Sequence, residues 1–191
     1  MTPVLATVIE SIAAAIVLWS IWLAAAENIW YYPTGIVSLV MYTWIYLNAH
    51  LYAETGLQLV CIALMIYGWY EWLHGGADRK ELPVSRTPPL AWIWIVMSGV
   101  ALSGAVTWVQ HRYTNNPAPL VDSSIAAWSI VAQLMTARKW IENWLFWIVI
   151  NIVSIALYLN RHLYPTTVLY VGLLILAIKG WIDWRKSIAS A

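Results

Sequence analysis

The chain reads nearly the same way twice. Asn48-Ala-His-Leu-Tyr-Ala-Glu-Thr-Gly-Leu-Gln58 returns as Asn160-Arg-His-Leu-Tyr-Pro-Thr-Thr-Val-Leu-Tyr170, a shift of 112 positions (160 − 48). At the same shift Gly68-Trp69-Tyr70-Glu71-Trp72 becomes Gly180-Trp181-Ile182-Asp183-Trp184, and Glu10 becomes Asp122. No gap is needed between these matches. Whatever the first half folds into, the second half should fold into as well, and the two must pack on each other.

Both halves are apolar. Of 191 residues 62% are hydrophobic and only 10% are charged, whereas a soluble domain carries about 25% charged residues. Such a chain cannot cover a water-facing surface, and it reads as an all-α integral membrane protein. The net charge of +1, with no basic cluster, gives no support for nucleic-acid binding. Cys61 lies alone in an apolar run, which excludes a disulfide framework, and no Cys/His cluster suggests a metal. His50, His74, His111 and His162 fall in loops or at helix ends. There is no HExxH and no Gly-rich phosphate loop, so no enzyme and no cofactor is expected. The first apolar segment starts almost at Met1, lacks a basic leader and contains Glu10, so no cleavable signal peptide is expected.

A bilayer core about 30 Å thick needs about 20 helical residues per crossing. Seven segments qualify: Val4–Ala25, Pro33–Ala49, Tyr52–Leu73, Pro89–Trp108, Pro119–Ala137, Asn143–Leu159 and Tyr164–Trp184. Pro33, Pro89 and Pro119 sit at starts, where a missing N–H costs little. The repeat maps helices 1, 2 and 3 onto 5, 6 and 7, and helix 4 is left as a connector. Residues 1–74 form the first triplet, 75–88 a charged linker, 89–110 the connector and 119–185 the second triplet. An even number of crossings separates helices 1 and 5, so the triplets are parallel. This is a 3+1+3 arrangement of the SWEET transporter type, which places a substrate between the repeats. Arg79, Lys80, Arg86, Arg138, Lys139, Lys179, Arg185 and Lys186 gather on one side, against Arg112 and Arg161 on the other. The positive-inside rule puts the N-terminus outside and the C-terminus in the cytoplasm.

Fifteen tryptophans and eleven tyrosines stand against a single phenylalanine. Most fit an interfacial belt: Trp30, Tyr31, Tyr32, Trp69, Trp72, Trp181 and Trp184 lie near helix ends. Trp144 and Trp147 fit it less well. With helix 6 entering the bilayer near Lys139, a rise of 1.5 Å per residue puts Trp147 about 12 Å deep and Asn151 about 18 Å deep. Trp144, Trp147 and Asn151 share one helix face, where indoles can stack on a flat ligand and an amide can orient it. Packing is the competing role. Ser38, Tyr42, Gln58, Ser129, Gln133 and Tyr170 are the other deep polar groups, and interhelical hydrogen bonding is their competing role. By the repeat, Gln58 pairs with Tyr170. The positions equivalent to Trp144 and Trp147 are Tyr32 and Gly35, and Gly35 is expected to leave room for ligand. The substrate site is therefore drawn from Trp144, Trp147, Asn151, Gln58, Gln133, Tyr42, Ser38 and Tyr170. Glu10 and Asp122 read as helix N-terminal carboxylates rather than a proton or cation site. Lys179 in helix 7 opens a rival class, the retinal photoreceptors. The microbial pattern of an Asp four residues before the lysine is absent, because Ile175 stands there.

Several of these segments resemble the PnuC vitamin transporters. Glu142-Asn143-Trp144-Leu-Phe-Trp147-Ile-Val-Ile-Asn151-Ile-Val-Ser154 is similar to that family's helix-6 Trp-x-x-Trp motif. Ala132-Gln133-Leu-Met135-Thr-Ala-Arg138-Lys139 is similar to its helix-5 ending. Asn28-Ile-Trp30-Tyr-Tyr-Pro33-Thr-Gly35 and Leu57-Gln58 are similar to its first repeat. The resemblance covers nearly the whole chain. It implies a homotrimer in the bacterial cytoplasmic (inner) membrane that carries nicotinamide riboside by facilitated diffusion. Uptake would be driven by a cytoplasmic kinase that phosphorylates the vitamin and feeds pyridine nucleotide biosynthesis. It also implies that Trp144 and Trp147 line the site. Tryptophan faces suit a flat pyridinium cation. A thiazolium suits them equally, so thiamine or another B vitamin is the alternative cargo.

Overall fold

The computed structural model describes residues 3–48, 50, 52–113 and 119–190, with side chains for all of these except 3–7, 10, 52–54 and 190. Ala49 and the side chain of Glu10 lie outside the described residues. Among the described residues there are seven α-helices: α1 Pro3–Ala25, α2 Tyr31–Asn48, α3 Tyr52–His74, α4 Pro89–Tyr113, α5 Pro119–Ala137, α6 Asn143–Asn160 and α7 Tyr164–Ser190. Five of them, α3 to α7, are long and apolar enough to cross a membrane, and Ser11–Ala25 of α1 is a shorter apolar stretch. Two helices outrun the expected segments by more than two residues. α4 continues from Trp108 to Tyr113 and α7 from Trp184 to Ser190. Bilayer thickness limits the apolar run, but it does not stop a helix that has left the hydrocarbon.

The helix ends keep the spacing of the sequence repeat. α2 and α6 start and finish 112 positions apart, and so do the ends of α1 and α5 and the starts of α3 and α7. The terminations match as well. α1 ends with Glu27 N–H on the Ala24 carbonyl and Asn28 N–H on Leu23. α5 ends with Lys139 N–H on Thr136 and Trp140 N–H on Met135. Both are Schellman caps, which need one left-handed residue. A charged residue fills that position in each, Glu27 at φ 54° and Lys139 at φ 49°.

Helix packing repeats in the same way. α1 packs on α2 and α2 on α3, while α5 packs on α6 and α6 on α7; across the halves, α1 meets α7 and α5 meets α3. The connector α4 packs on α5. Trp72 Nε1 of α3 donates to the Thr136 carbonyl of α5 at 3.0 Å. Its counterpart Trp184 Nε1 of α7 donates to the Ala24 carbonyl of α1 at 3.0 Å. Trp72 meets Tyr32 edge-on at 5.1 Å, and Trp184 meets Trp144 edge-on at 5.3 Å. Trp72 and Trp184 then touch each other at 5.9 Å.

These contacts correct part of the belt reading. Trp30 and Trp69 are exposed as a belt requires, but Tyr31, Tyr32, Trp72 and Trp184 are buried in the main core cluster. The reason is local: each indole N–H finds a carbonyl at the end of a helix from the other half, so the ring has no need of a wet interface.

The charged segment after α3 is strapped down rather than free. Leu82 N–H bonds the Trp72 carbonyl, and Ser85 exchanges backbone hydrogen bonds with Lys139 and Ile141. The Thr87 N–H and hydroxyl both donate to the Glu142 carboxylate at 2.8 Å.

Candidate functional site

A cavity of about 160 Å³ lies among α1, α2, α5, α6 and α7. Its α6 wall is the face of Trp144, Trp147 and Asn151, and Tyr170 of α7 joins them. Ser129 of α5 also lines it. None of the described residues that line it is charged. It offers two indoles, two phenols, two hydroxyls and an amide within an apolar frame, which suits a flat, polar-edged and uncharged or cationic ligand.

Two of the polar lining residues are ones that the sequence does not single out as deep polar groups. Tyr31 was placed in the belt, yet it is buried and borders the cavity. Its hydroxyl lies 3.1 Å from Oε1 and 3.0 Å from Nε2 of Gln133. Thr136 is the second. Its Oγ1 donates toward the Ala132 carbonyl at 2.9 Å or Asn143 Oδ1 at 3.0 Å, and it accepts the Trp147 indole N–H at 3.3 Å. A hydroxyl has one proton, so it serves one of those two acceptors at a time. Thr136 thereby ties the α5 end to the rotamer of Trp147. No periodicity within one helix joins residues on α5 and α6, which is why spacing missed the pair.

The remaining expected residues sit elsewhere. Gln133 stands behind Tyr31 and also approaches Met65 Sδ at 3.1 Å. Ser38 Oγ donates to the Ala13 carbonyl at 3.0 Å in the buried contact of α1 with α2. Tyr42 stacks on Tyr46 at 6.0 Å. Gln58 is half-buried on α3. None of these four is among the residues lining the cavity. The space expected over Gly35 is filled: a Cβ there would fall 2.2 Å from Met65 Cε. Met65 is long enough to fold over the glycine, and the sequence repeat alone could not show that.

Described helix carboxylates are engaged in ion pairs away from the cavity. Asp122 meets Arg161 at 2.8 Å and Glu71 lies 3.8 Å from Arg138. Glu27 pairs with Lys139 at 3.6 Å, and the lysine sits 4.5 Å over the Trp72 ring. Burial pushes the Lys139 ammonium below its usual range, opposed by Glu27 and Glu81. Lys179 pairs with Asp183 one turn on, half-exposed, rather than waiting in a closed pocket for an aldehyde. A larger groove of about 320 Å³ runs between the outer faces of α5 and α6. Its walls are apolar apart from Ser124, and they leave nothing to orient a polar vitamin.

Residues 7–186 match the family described as nicotinamide mononucleotide transporter. The chain is 26% identical to the nicotinamide riboside transporter PnuC of Escherichia coli (strain K12), over 94% of this chain and 85% of that protein. It is also 26% identical to the PnuC of Neisseria mucosa, over 93% of this chain and 72% of its length. The riboflavin/roseoflavin transporter RibM of Streptomyces davaonensis is 26% identical over 84% of this chain and 77% of RibM. The crystal structure of a vitamin B3 transporter PnuC superposes with a TM-score of 0.75 at 24% identity, over 95% of this chain and 82% of that one. That structure shares the fold.

Proposed function

The chain belongs to the nicotinamide mononucleotide transporter family, a family of membrane transporters rather than enzymes, and on that premise we propose that it carries nicotinamide riboside through the cavity of α6. The observation that carries this reading is the lining itself. Trp144, Trp147, Tyr170 and Asn151 surround a space whose described lining residues carry no charge. A pyridinium cation over indole is favourable by about 2 kcal/mol when desolvated. A mononucleotide would bring a phosphate dianion, which needs a cationic partner when buried. That argues for the riboside over the phosphorylated form.

The proposed architecture is the parallel 3+1+3 repeat with all seven helices crossing. Its support is the matched helix ends, the matched Schellman caps and the reciprocal tryptophan bonds. The proposed orientation has the N-terminus outside and the C-terminus in the cytoplasm. Transport is facilitated diffusion, and a cytoplasmic kinase that traps the product drives uptake. The homotrimer rests on the family resemblance, and light scattering of the purified detergent complex tests it.

A thermal-shift panel on purified protein tests the substrate. Nicotinamide riboside should raise the melting temperature at concentrations where nicotinamide mononucleotide, thiamine and riboflavin do not. A shift with thiamine or riboflavin alone would reassign the cargo.

A further inference from the structure

The repeat places two unequal pairs at matching positions. In the second half Trp147 of α6 and Ala177 of α7 both line the cavity. In the first half the same positions are Gly35 of α2 and Met65 of α3. Large and small have changed places: the helix that carries tryptophan faces alanine, and the helix that carries glycine faces methionine. Met65 is buried, and its methyl lies where a Gly35 Cβ would be. Its sulfur touches the Gln133 amide, which holds the Tyr31 hydroxyl. Tyr31 is the wall that the cavity presents toward that side. Met65 therefore fills the first half's counterpart of the cavity and backs the screen of Gln133 and Tyr31.

We propose that Met65 is a specificity-determining residue: it plugs the counterpart cavity, keeps the transport site single and sets the width of flat ring that the site admits. The proposal rests on the assignment of the cavity as the vitamin site. A single pyridinium ring fits within the second half alone. A tricyclic isoalloxazine is wider and needs space on the far side of Tyr31. Shortening Met65 removes what holds Gln133 in place, so the screen can yield into the vacated volume. Adding a Cβ at Gly35 does the opposite. It drives the Met65 tip against Gln133 and the wall inward, because a packed interior transmits such a displacement.

The test measures binding of nicotinamide riboside and of riboflavin to wild type, Met65→Ala, Gly35→Ala and the double variant in detergent, the flavin by quenching of its fluorescence. In Met65→Ala the preference for nicotinamide riboside over riboflavin should fall by at least about tenfold, the scale on which apolar pockets discriminate size. Gly35→Ala should lose affinity for nicotinamide riboside, and the double variant should regain it. An unchanged preference in Met65→Ala overturns the proposal. If that variant does not fold, an unaltered affinity in Gly35→Ala overturns it instead. A wild type that ignores nicotinamide riboside while Met65→Ala captures riboflavin would reject the assigned cargo and leave Met65 as the plug.

Discussion

Trp147 lines the cavity and donates its indole N–H to Thr136. Trp147→Ala should weaken nicotinamide riboside binding by about 1–3 kcal/mol, the scale of a lost aromatic stack with its cation–π contribution. Trp69→Ala, at an exposed helix end, should leave affinity almost intact, and titration calorimetry on the two variants separates the roles. Equal losses would mean that Trp147 only packs. Lys139 gives a second residue-scale test. Its folded pKa lies below the ordinary value because burial disfavours the charge. The unfolded chain then holds more proton than the native one between the depressed value and about 10.4, so stability should rise with pH across that window. Lys139→Met should flatten the rise in a melting series at several pH values, and an equally steep rise in the variant would assign it to other groups. Trp144, Trp147 and Asn151 were legible in the sequence because one continuous helix displays them at fixed spacing. Tyr31 and Thr136 were not, since their place at the cavity depends on how α2 and α5 lean on α6.

Helix packing here depends on two glycines at matching positions. Each lies under an aromatic ring: a Cβ on Gly68 would fall 2.6 Å from the Tyr32 hydroxyl oxygen, and one on Gly180 would fall 2.4 Å from Trp144 Cε2. The ring of Trp144 is also wedged against Trp184 and cannot retreat without breaking that contact. Gly180→Ala should therefore destabilise the protein by about 1–3 kcal/mol, the usual cost of overpacking. It should also weaken ligand binding, because Trp144 lines the cavity. Gly104→Ala in α4 meets nothing within 4 Å, and it should be neutral or slightly stabilising through helix propensity. Thermal unfolding of the two variants checks this; matching losses would show that the α6–α7 contact has slack. Element positions were largely legible, since apolar runs, starting prolines and the repeat together bound each helix. The strap from Leu82 to Thr87 was not. It reads as a charged loop, and its backbone bonds to the α5–α6 turn follow from which helix ends the fold brings together.

For the whole molecule, the distribution of carboxylates decides how transport is powered. A carrier coupled to protons or sodium needs an ionisable or oxygen-rich site beside its substrate. Here the described lining residues include no carboxylate, and described carboxylates of α3, α5 and α7 sit elsewhere in ion pairs: Asp122 with Arg161, Glu71 with Arg138, and Asp183 with Lys179 and Lys186. The Glu27–Lys139 pair joins equivalent positions of the two halves at the end that the strap covers. It is a contact between repeats, with its charge already matched. Aromatic faces are then enough to carry a cationic vitamin past the described lining residues. In proteoliposomes, nicotinamide riboside flux should equilibrate across the membrane and should not change when a pH or sodium gradient is imposed. Enclosing a nicotinamide riboside kinase with ATP should convert equilibration into net accumulation as the phosphorylated product. Accumulation above equilibrium driven by either gradient without the kinase would overturn the uncoupled mechanism. Asp122→Asn and Glu10→Gln would then be the first variants to assay, because those positions are the repeat-related acidic pair.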